Sequence, residues 1–311
     1  MYRTKIIEID ENEPFKNDLL NRKGYADNLT AIVNKINQPF VMSINSSWGT
    51  GKTTFLKMWK CQLDNEDEFK TLYFNAWECD DSDDPLLAML TNLESLIDNP
   101  EEKRTFKNVI KYAKPLLKAS VPIATRILTQ GVIDISKINL EENIEKSLLE
   151  IAEKTGSLEY ESFKARNKYR ELLSEALEDY QKKIDKRIIF FIDELDRCRP
   201  SFAIELLERV KHLFSIEGYV FVLAMDGNQL TSSINSLYGE KLDSHGYLKR
   251  FIDFEFSIPS PNVKEFINFR VNSSTFMGLL PQNHLIWSIF ITLIEHKKVS
   301  LRDIHKIFNF P

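Results

Sequence analysis

The stretch Ser46–Thr53 (SSWGTGKT), coming directly after the apolar run Pro39–Ile44, narrows the possible folds of this chain more than any other. A strand, a glycine-containing turn, and a Lys-Thr pair that opens a helix make up the layout of a phosphate-binding loop. In such a loop, backbone N–H groups converge on a phosphate at the helix N-terminus, and the lysine adds a point charge. A second stretch, Arg187–Asp196 (RIIFFIDELD), reads as a buried strand that carries Asp193 and Glu194 to its end. Carboxylates at that place are what a metal-bound nucleotide needs. The two motifs in this order imply nucleotide binding. The usual GxxxxGK[ST] spacing puts a glycine at position 46, where this chain has Ser46, while Gly49 and Gly51 remain for the tighter part of the loop.

Other classes of function are narrowed by composition. With 311 residues there is room for one large domain, or one domain with a lobe. A net charge of −5 and a pI near 5.7 argue against broad, charge-driven nucleic-acid binding, although a local basic patch remains open. Cys61, Cys79 and Cys198 are scattered without a CxxC pair, which speaks against a disulfide framework or a zinc site and fits a reducing, cytoplasmic setting. The N-terminal MYRTKIIEIDENEP is charged throughout and has no secretory pattern. No window holds the roughly 18–20 apolar residues that cross a bilayer; the nearest candidate, Val109–Ile133, is broken by Lys111, Lys114, Lys118 and Arg126. The expectation is a chain that does not span a membrane.

Along the chain, strands and helices alternate as in a parallel sheet covered on both faces. Expected strands are Phe40–Ile44, Lys70–Phe74, Ile188–Ile192, Tyr219–Ala224 and Asp253–Ile258. Expected helices include Thr53–Leu63, Pro85–Ile97 (with Asp84 as N-cap), Glu161–Lys183 and Phe202–Phe214. Residues 1–97 and 157–260 form the expected core, 98–156 a mainly helical insertion, and 261–311 a small helical lid that reads as minimal or as continuing further. Within the insertion, Lys103, Lys107, Lys111, Lys114 and Lys118 recur at helical spacing opposite Phe106, Val109, Ile110, Ala113 and Leu117. That pattern is a solvated face or a contact surface for anionic lipid, nucleic acid or a protein partner.

With both motifs placed, the chain resembles the KAP P-loop NTPases, a STAND/AAA+-like group of bacterial and phage-linked ATPases that also includes animal membrane scaffolds. The resemblance rests on Trp48 inside SSWGTGKTT, on FNAWE (Phe74–Glu78), and on DELDRCRP (Asp193–Pro200). FKNDLLNRKGYADNL (Phe15–Leu29) is similar to the family's entrance helix with its arginine. FVLAMD (Phe221–Asp226) and YLKRFIDFEFSIP (Tyr247–Pro259) follow in the expected order. It implies an α/β fold: a P-loop NTPase parallel sheet sandwiched by helices, with a helical insertion between the two nucleotide motifs and a C-terminal helical lid. Glu194 stands where many relatives carry a second Asp, and the transmembrane helices often inserted between the motifs are absent, with 98–156 in their place.

The resemblance and the chemistry of phosphoryl transfer together imply roles. Ser47, Trp48, Gly49, Thr50 and Gly51 would wrap the phosphates of ATP, with Lys52 bridging the β- and γ-phosphates and Thr54 reaching the α-phosphate. Thr53 and Asp193 would hold Mg²⁺, the latter through water. Glu194 is the expected general base and Asp196 its runner-up. Asp226 either senses the γ-phosphate or starts the turn Asp226-Gly227-Asn228. Arg250 is either an arginine finger for a neighbouring subunit or a surface residue, and Arg302 either faces nucleotide from the lid or is exposed. Arg197 and Arg199 read as ion-pair partners or partner contacts. Trp48 and Trp77 would pack on each other or shield the phosphates, and the acidic run Asp80–Asp84 reads as capping and loop.

The expected activity is Mg-dependent ATP hydrolysis that drives a conformational or assembly switch with other protein subunits. A homo-oligomer and, by analogy, a bacterial antiviral defence complex form its expected setting. The alternatives are a slow or non-hydrolysing nucleotide-gated scaffold at a membrane surface, touching it peripherally, and a nucleic-acid-stimulated ATPase.

Overall fold

The computed structural model describes residues 8–82, 84–117, 158–259, 262–273, 285–297 and 299–308. Five parallel strands, β1 (Phe40–Asn45), β2 (Phe69–Asn75), β3 (Arg187–Asp193), β4 (Tyr219–Met225) and β5 (Phe254–Ser257), form one sheet in the order β2-β3-β4-β1-β5. Strand β4 therefore lies between β1, which feeds the glycine loop, and β3, which delivers the acidic residues. Both motifs emerge at the carboxyl edge, separated by one strand. That edge is where open α/β sheets leave a crevice for ligands.

Alternation along each strand sorts the core into two layers. Ile188, Phe190 and Ile192 of β3, with Tyr219, Phe221, Leu223 and Met225 of β4, face one layer; Ile189, Phe191, Val220, Val222 and Ala224 face the other. Central strands buried on both faces need apolar residues at every position, which is why these stretches read as continuous runs. One layer is covered by α1 (Lys23–Lys35) and α2 (Lys52–Asp64), the other by α3 (Pro85–Glu94), α4 (Pro100–Ala113), α5 (Leu158–Ile184) and α6 (Pro200–Leu213). After β4 come α7 (Gly227–Tyr238) and the short α8 (Ser244–Leu248); α9 (Val263–Ser273), α10 (Leu285–His296) and α11 (Leu301–Phe308) follow β5.

The expected strands are all present, most extended by a residue at one or both ends. Asp84 caps α3 as expected, accepting from the Leu86 and Leu87 N–H groups at 3.0 and 3.4 Å. Two segments differ from expectation. The entrance helix begins only at Lys23, because the Asp18 carboxylate accepts from the backbone N–H groups of Leu20, Arg22 and Lys23 and folds the preceding residues into turns. Helix α4, expected in an insertion, buries Phe106, Val109, Ile110 and Ala113 in the main core, with Phe106 against Tyr180 of α5 at 5.1 Å between ring centroids. Lys118 and the rest of the expected insertion up to residue 157 lie outside the described residues. Helices α9–α11 share a small core of their own, formed by Phe266, Ile267, Ile291, Ile294, Leu301 and Ile304, onto which Leu19 and Leu20 pack. Among the described residues no helix is long and apolar enough to cross a membrane.

Trp59 ties the layer under the glycine loop together. It is fully buried, donates its indole N–H to Thr30 Oγ1 at 2.9 Å, and sets its edge against Phe191 at 5.2 Å. Truncating a residue so placed removes packing from α1, α2 and β3 at once. Trp59→Ala is expected to lower unfolding stability by about 3–5 kcal/mol in urea titration; a loss under about 1 kcal/mol would contradict this placement.

Candidate functional site

Between Asn45 and Lys52 the chain turns sharply, and two residues take left-handed angles: Gly49 at φ 77° and Gly51 at φ 89°. A Cβ at Gly49 would come within 2.8 Å of the Ser300 side chain, so this glycine also permits the close approach of the segment leading into α11. Ser46 does not have a positive φ, which explains why it can replace the usual glycine without strain. Its hydroxyl shares a 2.7 Å hydrogen bond with Thr50 Oγ1, which in turn donates to the Ser47 carbonyl at 2.9 Å.

The loop is held from outside by Arg22. This arginine, 4% exposed, donates from Nη2 to the Thr50 carbonyl at 2.9 Å and from Nη1 to the Gly51 carbonyl at 3.3 Å. These bonds fix the direction of both carbonyls, and Arg22 itself lines the cavity beside the loop.

Helix α2, like α1 and α6, starts without a side-chain cap or a first-turn acid, and differs from them in the buried lysine at its first position. Helices α3, α4 and α7 carry Asp84, Asn99 and Asp226 as N-caps, each accepting from first-turn N–H groups. Helix α2 has no side-chain cap and no acidic residue in its first turn; its first residue is Lys52, 9% exposed. A buried cation at the positive end of a helix is unfavourable on its own. Burial lowers the Lys52 pKa, while Asp196, Asp226 and Asp193 oppose that shift. The ammonium donates to the carbonyls of Ser46 and, at 3.3 Å, of Ser47. Uncapped N–H groups and a buried ammonium together make a place for an anion.

At the end of β3 each carboxylate has its own partner. Asp193 is buried and accepts from the Tyr73 hydroxyl at 2.7 Å and from the Glu194 N–H at 2.8 Å. Burial and the Asp193 charge push the Tyr73 pKa well up, so the phenol stays a donor. Glu194 takes a left-handed backbone, φ 61° and ψ 27°, and its Oε1 lies 2.8 Å from Arg197 Nη1. Burial raises the Glu194 pKa, and the Arg197 charge opposes the shift. Asp196 accepts from the Trp48 indole N–H, which links the glycine loop to the acidic strand.

These groups border one cavity of about 450 Å³. Its polar lining comes from Ser47, Gly49, Gly51, Lys52, Thr53, Asp193 and Glu194, together with Arg197 and Arg302. Its apolar lining comes from Ile9, Leu19, Leu20, Met58, Phe266 and Leu301, contributed by the N-terminal segment, α2 and the lid helices. Thr54 lines it as well. A cavity lined by both an anion cradle and apolar side chains suits a ligand with a charged and an apolar part, as a nucleotide has.

The remaining expected residues divide. Arg302 comes to the cavity, with its charge felt by Glu194. Asp226 is the N-cap of α7, accepting from Asn228 and Gln229 N–H at 3.2 and 3.4 Å, so the turn reading describes its carboxylate. Arg250 is exposed and precedes β5, at the amino edge of the sheet, away from the cavity of its own chain. Trp48 and Trp77 hold different partners, Asp196 and the Arg197 guanidinium respectively. Arg199 pairs with Asp80 at 3.1 Å, the ion-pair reading. Among the described residues no cluster of three or more His, Cys, Asp or Glu side chains could hold a metal by itself.

Spacing alone did not reveal Arg22, Tyr73 or the apolar lining. Arg22 was signalled only by the resemblance of Phe15–Leu29 to the family's entrance helix, the apolar lining by the pair Leu19-Leu20, and Tyr73 by an aromatic two residues before the end of β2.

Residues 22–310 match the model of the KAP family P-loop domain. No curated protein matches the chain. Among solved structures, C. elegans PCH-2 is similar at 10% identity with a TM-score of 0.29, covering 84% of this chain and 47% of that one. This chain thus spans about half the length of that protein, and a likeness of that size carries no argument.

Proposed function

The chain belongs to the KAP family of P-loop domains, and on that footing we propose that it binds ATP with Mg²⁺ and hydrolyses it to drive a conformational switch. The observation that carries this reading is the uncapped start of α2, with Lys52 buried at it, facing Asp193 and Glu194 across one cavity. Lys52 and the loop N–H groups would hold the β- and γ-phosphates, and the apolar lining at Leu19, Leu20 and Met58 would take the base. The donor set suits a hard divalent cation: the Thr53 hydroxyl and the Asp193 carboxylate, completed by phosphate oxygens and water. Such an ion offsets phosphate charge when bound. Glu194 takes the proton from the attacking water, and its raised pKa keeps it a stronger base than an exposed glutamate. Asp196, bonded to Trp48, positions the loop instead.

Lys52→Ala is expected to weaken triphosphate binding roughly 10- to 100-fold. The same variant is expected to abolish phage protection in cells where the protein serves bacterial antiviral defence, a setting proposed on the family resemblance. Glu194→Gln should retain binding while turnover falls about 10²- to 10⁴-fold. Because the base must be ionised and its pKa is raised, the acid limb of kcat/KM should lie above the ordinary glutamate range and vanish in Glu194→Gln. Calorimetry and a pH-resolved phosphate-release assay check these outcomes; wild-type turnover in Glu194→Gln would reject the assigned base.

Arg250 can serve only the cavity of another copy, since it stands at the opposite edge of its own sheet. If it does, turnover per subunit rises with protein concentration and Arg250→Ala removes the rise. Concentration-independent turnover would leave it a surface residue.

A second reading, peripheral contact with an anionic membrane, has its own observation. Helices α4 and α5 run antiparallel, with Glu101 3.5 Å from Lys183 and Phe106 against Tyr180, so the C-terminal end of α4 lies toward the N-terminal part of α5. Residues 111–117 and 163–170 carry Lys111, Lys114, Lys164, Arg166, Lys168 and Arg170 and no acidic residue, in a protein of net charge −5. Phe163 stands exposed among them. Cations around an exposed apolar side chain fit a lipid interface. The protein should co-sediment with vesicles containing phosphatidylserine and lose that binding in Lys111→Glu/Lys168→Glu. Turnover stimulated by nucleic acid, with no vesicle binding, would favour a nucleic-acid partner instead.

A further inference from the structure

Arg197 lines the cavity, and the proposed chemistry gives it no task. It borders the same space as Lys52 and Asp193. Its Nη1 lies 2.8 Å from Glu194 Oε1, and both side chains are largely covered, at 24% and 17% exposure. The other face of its guanidinium rests over Trp77, 5.5 Å from the ring centroid, and Trp77 is 52% exposed.

Two further facts give the pair its meaning. Glu194 stands in the left-handed region, which a non-glycine residue keeps only where its surroundings over-determine it. Here the Asp193 carboxylate accepts the Glu194 N–H, and Arg197 fixes the other end of the same residue. In addition, Asp196 is bonded to the Trp48 indole. A carboxylate paired with a guanidinium directs its lone pairs at that cation and accepts a water proton poorly. Neither of the two acids after Asp193 is therefore available for general-base work while these contacts last.

A guanidinium fork fits carboxylate and phosphate oxygens with the same geometry, and a terminal phosphate carries the greater charge. Resting on the reading that this cavity takes a nucleoside triphosphate, we propose that Arg197 alternates between the Glu194 carboxylate and the terminal phosphate. Transfer to the phosphate frees Glu194 beside the attacking water. A diphosphate, lacking that terminal group, leaves the pair closed. Arg197 is then a positioning residue that couples the base to the presence of the group to be cleaved, and Trp77 registers its movement at the surface. Arg302, whose charge also reaches Glu194, comes from α11 and has no such aromatic seat among the described residues.

The test uses the full chain with Mg²⁺, a non-hydrolysable ATP analogue and ADP, reading tryptophan emission and binding heat on the same samples. Expected is a Trp77-dependent emission change, taken as the difference between the wild-type chain and Trp77→Phe so that Trp48 at the cavity cancels, with the triphosphate analogue and none with saturating ADP. The change disappears in Arg197→Ala. Arg197→Lys, which keeps the charge but loses the fork, retains the fold and shows a diminished change. Arg197→Ala is also expected to lose about tenfold of the preference for triphosphate over diphosphate. An equal Trp77-dependent change with ADP, or an undiminished one in Arg197→Ala that still binds, overturns the exchange. Heat from both nucleotides without a Trp77-dependent change overturns it while leaving the cavity reading intact. Absence of heat from either nucleotide overturns both.

Discussion

A lysine ammonium buried at the positive end of a helix is the constraint to which the rest of this structure is fitted. Alone, Lys52 at the start of α2 would be a double penalty, a desolvated charge facing a like-signed dipole. The surroundings supply negative charge in graded positions: Asp193 at the end of β3, Asp196 beyond it, and Asp226 at the end of β4. The strand order makes this possible, because β4 and β3 run beside β1 and end at the same edge. An anion bound at the loop completes the balance, which is why geometry and electrostatics point to one class of ligand.

Positions distant in the chain shape the loop itself. Arg22, from the start of α1, takes up the carbonyls of Thr50 and Gly51, and Ser300 closes on the face that Gly49 leaves bare. Leu19 and Leu20 belong to the packing of the lid helices and line the cavity as well. The N-terminal segment, the loop and the lid therefore meet at one place. A displacement of the lid would be felt at Gly49 through direct contact, which gives a nucleotide a mechanical route to the outside of the molecule.

Engagement governs the acidic end. Tyr73, Arg197 and Trp48 each take one of the three carboxylates that follow the apolar run of β3. Hydrogen-bond partners of this kind fix which carboxylate points where, and they separate residues that the sequence presents as equivalent: Asp193 toward the Tyr73 hydroxyl, Glu194 toward a guanidinium, Asp196 toward the loop. Asp226 shows the same effect, since an acid at a strand end becomes a helix cap when the next two N–H groups lie within reach.

What the sequence determined by itself was local. Continuous apolar runs specified the five strands, Gly49, Gly51 and Lys52-Thr53 specified the loop, and Asp84-Pro85 specified a helix start; in each case the cause lies within a few residues of backbone geometry. Ser46 was legible as a departure, and its tolerance became clear only from its angle and its bond to Thr50. The tertiary structure alone decided that α4 joins the main core, that Arg22 restrains Thr50, 28 residues away, and that Trp48 and Trp77 serve different partners. It also placed Arg250 at the far edge of the sheet and Arg302 at the cavity, although both read as arginines near helices. Strand order, close approach of segments and competition among partners for each charged group have no signature in local spacing. They arise only when the sheet assembles and brings its carboxyl edge, the N-terminal turns and the lid to one place.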